Sequence, residues 1–449
     1  MTHCPRKLFH GILTVGLAVV FSAVPVIAGE VTPQDLEALL SQNRKLQEQV
    51  EQQQQQIEAL RQRVDAMESK PAKTSGEHDT PEATNQPRSP LEAMPVLRAA
   101  HEIRLSGEAG LAFFSSGHDG AFPNSEFRVD DAKIFVEAPI WQNVYFFTGL
   151  EMTTREAGDE YFHVGELYVD AEDVLKGGSD YSLSLRAGRF FIPFGEEYQY
   201  RNVMDNPLIM HSETDIWGVD EGVQAYGIFG RLQYNLAVQN GGHKTLHDYN
   251  KDKSVTFRIG FDPLKSLHLS ASAHRTGKLD AANDTLSEIW FSNGFFRALG
   301  SATTTRTFAA SLYELDAIWR WKEGRFTATA GKAYFDDDST QADNSRQFTF
   351  YSLEAVQQLT GKLYGAARFS RLSAPAGYPL VGLGNAGAYF YNPFAPRTTD
   401  LERFSAGLGY RFDLPLVWKL EYSWETGHEV GGAPRGNADT LSSEVGLKF

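Results

Sequence analysis

Thr440-Leu441-Ser442-Ser443-Glu444-Val445-Gly446-Leu447-Lys448-Phe449 is the stretch whose reading decides the fold. Side chains of a strand point alternately to its two faces, so Leu441, Ser443, Val445, Leu447 and Phe449 share one face. Ser442, Glu444, Gly446 and Lys448 share the other. The alternation continues to the last residue, which a soluble domain seldom does. It suits the closing strand of a barrel that turns apolar side chains to lipid and polar ones to a water-filled interior.

Working back from there, the same period of two recurs from about residue 102. Val255, Phe257, Ile259 and Phe261 alternate with Thr256, Arg258 and Gly260. Leu416, Trp418, Leu420, Tyr422 and Trp424 alternate with Lys419, Glu421 and Glu425. We count sixteen such segments, each of about 9–13 residues. Their connections are unequal: 139–142, 172–180, 229–231, 262–266, 322–324, 360–361 and 413–415 are short. The others, 115–125, 153–161, 192–221, 241–253, 276–306, 336–347, 373–400 and 427–440, are mostly longer. Short turns at one end and long loops at the other predict a transmembrane barrel with both termini on the short-turn side, and hence an even strand number.

The rest of the chain fits export to such a place. Apolar residues 11–28 follow Arg6 and Lys7 and end on Val26-Ile27-Ala28, the pattern of a cleaved signal peptide spanning 1–28. Cleavage removes Cys4, the only cysteine, so the mature chain has no disulfide and no thiolate metal site. Removing Arg6 and Lys7 takes the formal charge from −15 to −17, which argues against nucleic acid as a partner. A mean hydropathy of −0.35 is too polar for a bundle of membrane helices.

Residues 29–70 carry a heptad seam. Leu36, Asn43, Val50, Ile57 and Val64 occupy a positions, and Leu39, Leu46, Gln53, Leu60 and Met67 occupy d positions. The spacing predicts an oligomerising coiled coil roughly 55–60 Å long, in which Asn43 and Gln53 fix register. We favour a homotrimer, although heptads alone do not separate it from a dimer. Residues 71–97 hold Pro71, Pro81, Pro87, Pro90 and Pro95 among polar residues and read as an extended linker. The expected fold is all-β: a 16-stranded antiparallel transmembrane β-barrel over 98–449, preceded by an N-terminal α-helical coiled coil.

A barrel of that size encloses water, and its chemistry lies in the width and charge of its narrowest part. Loop 192–221 is the candidate to fold inward. Pro193 ends strand pairing, and Glu196, Glu197, Asp205, Glu213 and Asp215 would give an acidic rim with Arg201 as its one Lys or Arg. The alternative is an external acidic loop beside lipopolysaccharide. Period two places Arg104, Lys133, Arg186, Arg258, Arg368, Arg403, Arg411 and Lys419 on the inner face, together with Glu108, Glu151, Glu166, Glu421 and Glu444. An acidic loop facing a basic wall across water would set up a transverse field.

Three stretches carry a family likeness: Gly188-Arg189-Phe190-Phe191-Ile192-Pro193-Phe194-Gly195, Leu236-Ala237-Val238-Gln239-Asn240-Gly241 and Val356-Gln357-Gln358-Leu359-Thr360-Gly361. With them the region 98–449 resembles the phosphate-selective porins of the O and P type. The resemblance implies a homotrimeric, non-enzymatic outer-membrane porin. Its solutes would be small hydrophilic molecules or ions, including anions such as phosphate, and its coiled coil would lie in the periplasm. Phosphate-selecting members line the pore with clustered lysines and an arginine ladder, whereas loop 192–221 here is acidic. Terminal Phe449 resembles the signal read by the barrel-insertion machinery. No cofactor or metal is expected.

Two other readings remain open. His268, Ser270, Ser272 and His274 share a strand face and raise the possibility of a hydrolase. Residues two apart on a strand are about 6.5–7 Å apart, however, too far for a ready Ser–His bond. A structural tether that uses the coiled coil is the other.

Overall fold

A computed structural model describes residues 103–120, 122–152, 163–178, 180–216, 218–241, 251–280, 306–338, 345–379 and 397–449. The signal peptide, the coiled-coil seam and the linker lie outside the described residues.

The elements are β1 (Arg104–Ser116), β2 (Glu126–Trp141), β3 (Val144–Glu151), β4 (His163–Gly177), β5 (Tyr181–Phe191), β6 (Val219–Phe229), β7 (Leu232–Gln239), β8 (Ser254–Leu264) and β9 (Leu267–Arg275). They continue with β10 (Leu279–Asp280), β11 (Thr307–Trp321), β12 (Gly324–Asp337), β13 (Arg346–Gln358), β14 (Leu363–Pro379), β15 (Arg397–Arg411), β16 (Leu416–Glu429) and β17 (Thr440–Lys448). The two-residue β10 pairs only with β11 and prolongs the line of β9 beyond Gly277. The barrel therefore has sixteen long strands, each antiparallel to its sequence neighbours. Pairing of β17 with β1, from Glu108↔Lys448 to Ser116↔Thr440, closes the sheet and leaves no edge.

Tight turns join the strands at one end. Gln142-Asn143 turns β2 into β3 with Asn143 at φ 60°, and Gly230-Arg231 turns β6 into β7 with Gly230 at φ 60°. The described longer connections, 117–125, 192–218 and 430–439, leave their strands at the other end.

The two faces are inverted relative to a soluble sheet. Leu315, Trp319 and Val255 point outward and are exposed, whereas Glu314, Asp316, Thr256, Arg258 and Lys419 point inward and are buried. Water would penalise that outer face and reward the inner one, so the barrel suits an apolar surround. Exposed aromatics crowd the short-turn end: Trp141, Phe229, Trp319, Phe412 and Phe449. They form one interfacial girdle.

The interior departs from the polar lumen read from the sequence. At the long-loop end, inward-facing Phe308, Leu312, Phe335, Phe348, Phe350, Leu372 and Leu401 form one buried apolar cluster with Ile192, Phe194 and Ile216. Each buried Phe or Leu contributes about 1.5–3 kcal/mol. This cluster holds both ends of segment 192–218 against the inner wall.

Candidate constriction inside the barrel

Segment 192–218 leaves β5 and returns to β6 after crossing the interior. Gly195 (φ 71°) turns the chain off the strand line, and Glu197–Tyr200 forms a single 3₁₀ turn. The Gly195 amide donates to Ser272 Oγ on β9 at 3.0 Å. Farther along, the amides of Ile209 and Met210 both donate to Glu421 Oε2 on β16, at 2.6 and 2.9 Å. The Glu213 amide donates to Ser370 Oγ on β14 at 3.1 Å. Leu208 packs on Tyr364, Ala366 and Val417, and Ile209 packs on Ala112, Phe114 and Phe122. The segment therefore lies along the inner wall from β8 around to β1.

The basic residues singled out from the sequence fall into two groups. Four lie under the segment. Arg258 donates from Nε and Nη2 to Glu196 Oε1, at 2.9 and 2.5 Å. Arg368 binds Glu354 and also reaches Met210 O at 2.7 Å and Asn206 Oδ1 at 3.0 Å. Arg403 pairs with Glu213 of the segment and with Glu425 at 2.7 Å. Lys419 donates to Glu444 at 2.9 Å and to Leu208 O at 3.1 Å. The remaining four lie at or beyond its edges. Arg411 reaches Met204 O at 3.4 Å, and its guanidinium lies 5.3 Å from the centre of the Tyr364 ring. Arg186 is tied to Asp170 at 2.6 Å between the rings of Tyr168 and Tyr226. Arg104 pairs with Glu137 at 3.7 Å, and Lys133 pairs with Asp131 at 3.0 Å and Glu108 at 3.9 Å.

Acid and base thus meet in direct contact rather than face each other across water, as the expected transverse field required. Packing is the reason. A buried charge without a partner is costly, so the segment settles where each cation finds a carboxylate or carbonyl. Glu196 shows the electrostatics. Burial would raise its pKa, but Arg258 and the His268 imidazole outweigh that and hold it at about 2.

The other loop acids differ. Glu197 accepts from the Ser212 amide at 3.1 Å and from the Ser212 hydroxyl at 2.5 Å. Asp215 receives Arg201 Nε at 2.7 Å and lies 3.1 Å from His211 Nδ1. Burial raises the pKa of both, and the charge of Asp215 raises that of Glu197 further. Glu197, His211 and Asp215 bring ligand-type atoms within 4.8 Å of one another, but the Arg201 guanidinium already serves Asp215. Asp205 is exposed and bonds Asn202 Nδ2 at 2.8 Å.

A cleft remains between the segment and the wall of β2 and β3. Asp130, Asp131, Lys133 and Glu151 line its wall side; Arg201, Asn206 and His211 line its segment side, and Lys419 and Glu444 also border it. Asp130 and Asp131 were not legible as a pair on the inner face. A register shift opposite Gly110 and Leu111 leaves an extra residue in β2, and both neighbouring acids are buried there. Glu314, Asp316 and Glu354 are further inner-face acids that extending the period of two would have found.

The hydroxyls and imidazoles of β9 are engaged elsewhere. Ser270 Oγ donates to Asp316 at 3.1 Å, and Ser272 Oγ receives the Gly195 amide. His268 bridges Asp262 at 2.8 Å and Glu196 at 3.2 Å, and His274 bonds Thr256 Oγ1 at 2.7 Å. None of these contacts is a serine–histidine bond.

At its other end the chain closes on itself through Phe449. Its amide donates to Gly107 O, and its carbonyl accepts from the Gly107 amide, both at 2.9 Å.

No protein-family profile and no curated protein matches this sequence. Solved structures do match the fold. The outer-membrane channel DcaP of Acinetobacter baumannii superposes with a TM-score of 0.51 at 10% identity, over 78% of this chain and 97% of that one. OmpT, an outer membrane protein of Vibrio cholerae, gives 0.50 at 11% identity over 79% and 100%. OprB of Pseudomonas putida gives 0.50 at 9% identity over 77% and 94%. The chain therefore has the closed sixteen-stranded barrel fold seen in outer-membrane porins and channels.

Proposed function

We propose that this protein is an outer-membrane porin, without enzymatic activity, that passes small hydrophilic solutes and ions by diffusion. The observation that carries this reading is the inverted barrel with segment 192–218 folded inside it, narrowing a polar interior without filling the cleft beside β2 and β3. Conduction in such a pore follows the charges left facing water. Arg258, Arg368 and Arg403 are committed to the segment, whereas the cleft borders on Asp130, Asp131, Glu151 and Glu444 against Lys133, Arg201 and Lys419. The narrow part therefore favours cations, and phosphate is not its preferred solute.

Phe449 serves as the insertion signal, lipid and lipopolysaccharide surround the barrel, and the coiled coil joins three copies in the periplasm. These parts of the reading rest on the sequence pattern and on the barrel fold. Purified protein in planar bilayers should give stable conductance steps in multiples of three. Folded protein that gives no channels would sink the proposal and favour the tether.

A further inference from the structure

We propose that the outer face of β9–β12, at the long-loop end, binds the phosphorylated headgroup of a glycolipid in the surrounding leaflet. This rests on reading the barrel as membrane-embedded and is independent of its ion preference.

Outward-facing charges on the long-loop half of the wall are mostly matched. Arg189 pairs with Glu221 at 2.8 Å, and Arg371 pairs with Glu402 at 2.8 Å. Arg275, Lys278 and Lys332 differ. All three are exposed, and their side-chain cations form no ion pair among the described residues. Lys278 points outward because neighbouring Leu279 is buried in the inner apolar cluster.

The register gathers them. Arg275 stands opposite Ser311, Ser311 opposite Tyr334, and Tyr313 opposite Lys332. Arg275 and Lys332 are thus two strand spacings and two residues apart, roughly 12 Å between Cα atoms. Tyr334 stands level with Arg275 and Tyr313 level with Lys332, and their rings form an edge-on pair with centroids 6.4 Å apart. Below the rings the outer face is Leu315, Ala317, Ala328 and Ala330, down to Trp319. From Trp319 to Ser311 a strand tilted by about 40° climbs roughly 20 Å, close to the height of a barrel's apolar band. The cations therefore stand at the upper membrane surface, beside an aromatic pair, where lipid phosphates lie. Asp252, Asp280 and Asp336 are the acids nearby. Asp252 accepts the Lys278 backbone amide at 3.0 Å, and no ion pair joins any of the three cations to a carboxylate among the described residues.

The test uses full-length protein in detergent, titrated with bis-phosphorylated lipid A and with its dephosphorylated form, with bound lipid counted by native mass spectrometry. Arg275→Gln/Lys278→Gln/Lys332→Gln should weaken lipid A binding about tenfold or more, while Arg371→Gln binds as wild type. Dephosphorylated lipid should bind wild type as weakly as lipid A binds the triple variant. Heat-modifiable mobility and unchanged conductance report that the variants fold. Equal binding by triple variant and wild type, or no effect of removing phosphate, would overturn the proposal. Wild type that fails to enter bilayers would overturn the membrane reading beneath it, an outcome separable from loss of lipid binding alone.

Discussion

Arg258 and Glu196 lie 62 residues apart in sequence and meet through two hydrogen bonds to one carboxylate oxygen, inside the barrel and away from bulk water. The pair anchors the leading end of segment 192–218 to β8. Removing one partner of a buried pair costs about 3–5 kcal/mol, because the other charge stays buried alone. Arg258→Met should therefore lower thermal stability and release the segment, raising single-channel conductance and its fluctuation. Conductance and melting temperature both unchanged would show that the anchor does not hold the segment.

Acidity should act on the segment through Glu197 and Asp215, whose pKa values burial raises. A carboxyl raised on docking opposes the docked state while ionised. That penalty is absent below the ordinary carboxyl range and grows as pH rises through the raised values. Open-channel noise should fall as the pH is taken from neutral into mild acid, and Glu197→Gln should flatten the response. Glu196 behaves oppositely: its contribution is present above the ordinary value of 4.5 and is lost as pH falls through about 2. Noise that rises in mild acid would contradict this assignment.

Gly195 has φ 71°, and a Cβ there would collide with the Glu314 carboxylate. Gly195→Ala should cost about 1–2 kcal/mol from the left-handed backbone alone, and more from the collision. Thermal unfolding of the barrel checks it; a variant as stable as wild type would mean that the segment can start its turn in another way.

Phe449 completes the seam between the last strand and the first through its paired bonds with Gly107. The Phe449 ring occupies the space a Gly107 side chain would need. Deleting Phe449 should reduce the heat-modifiable, folded fraction in outer-membrane preparations several-fold. A normal yield would leave the residue without an assembly role.

The strands were legible because their information is local. A period of two is enough to put Arg258, Arg368, Arg403 and Lys419 on one face. Their partners were not, because segment 192–218 has no period, and Glu196 or the Leu208 carbonyl meets the wall only after the chain has crossed the interior. Asp130 and Asp131 were hidden by a register shift that alternation cannot register. The apolar mouth was hidden for another reason: around Phe308, Ala309, Ala310, Ser311 and Leu312 in β11 both faces are largely apolar, so the pattern does not say which is which.

The central claim is that the segment engages four of the eight wall cations and leaves an acid-rich cleft beside β2 and β3. Reversal potential across a planar bilayer under a KCl gradient tests it most directly. Wild type should favour K⁺, and Asp130→Asn/Asp131→Asn/Glu151→Gln should move the potential towards Cl⁻. Strong anion selectivity in the wild type, with block by phosphate at low concentration, would contradict the account.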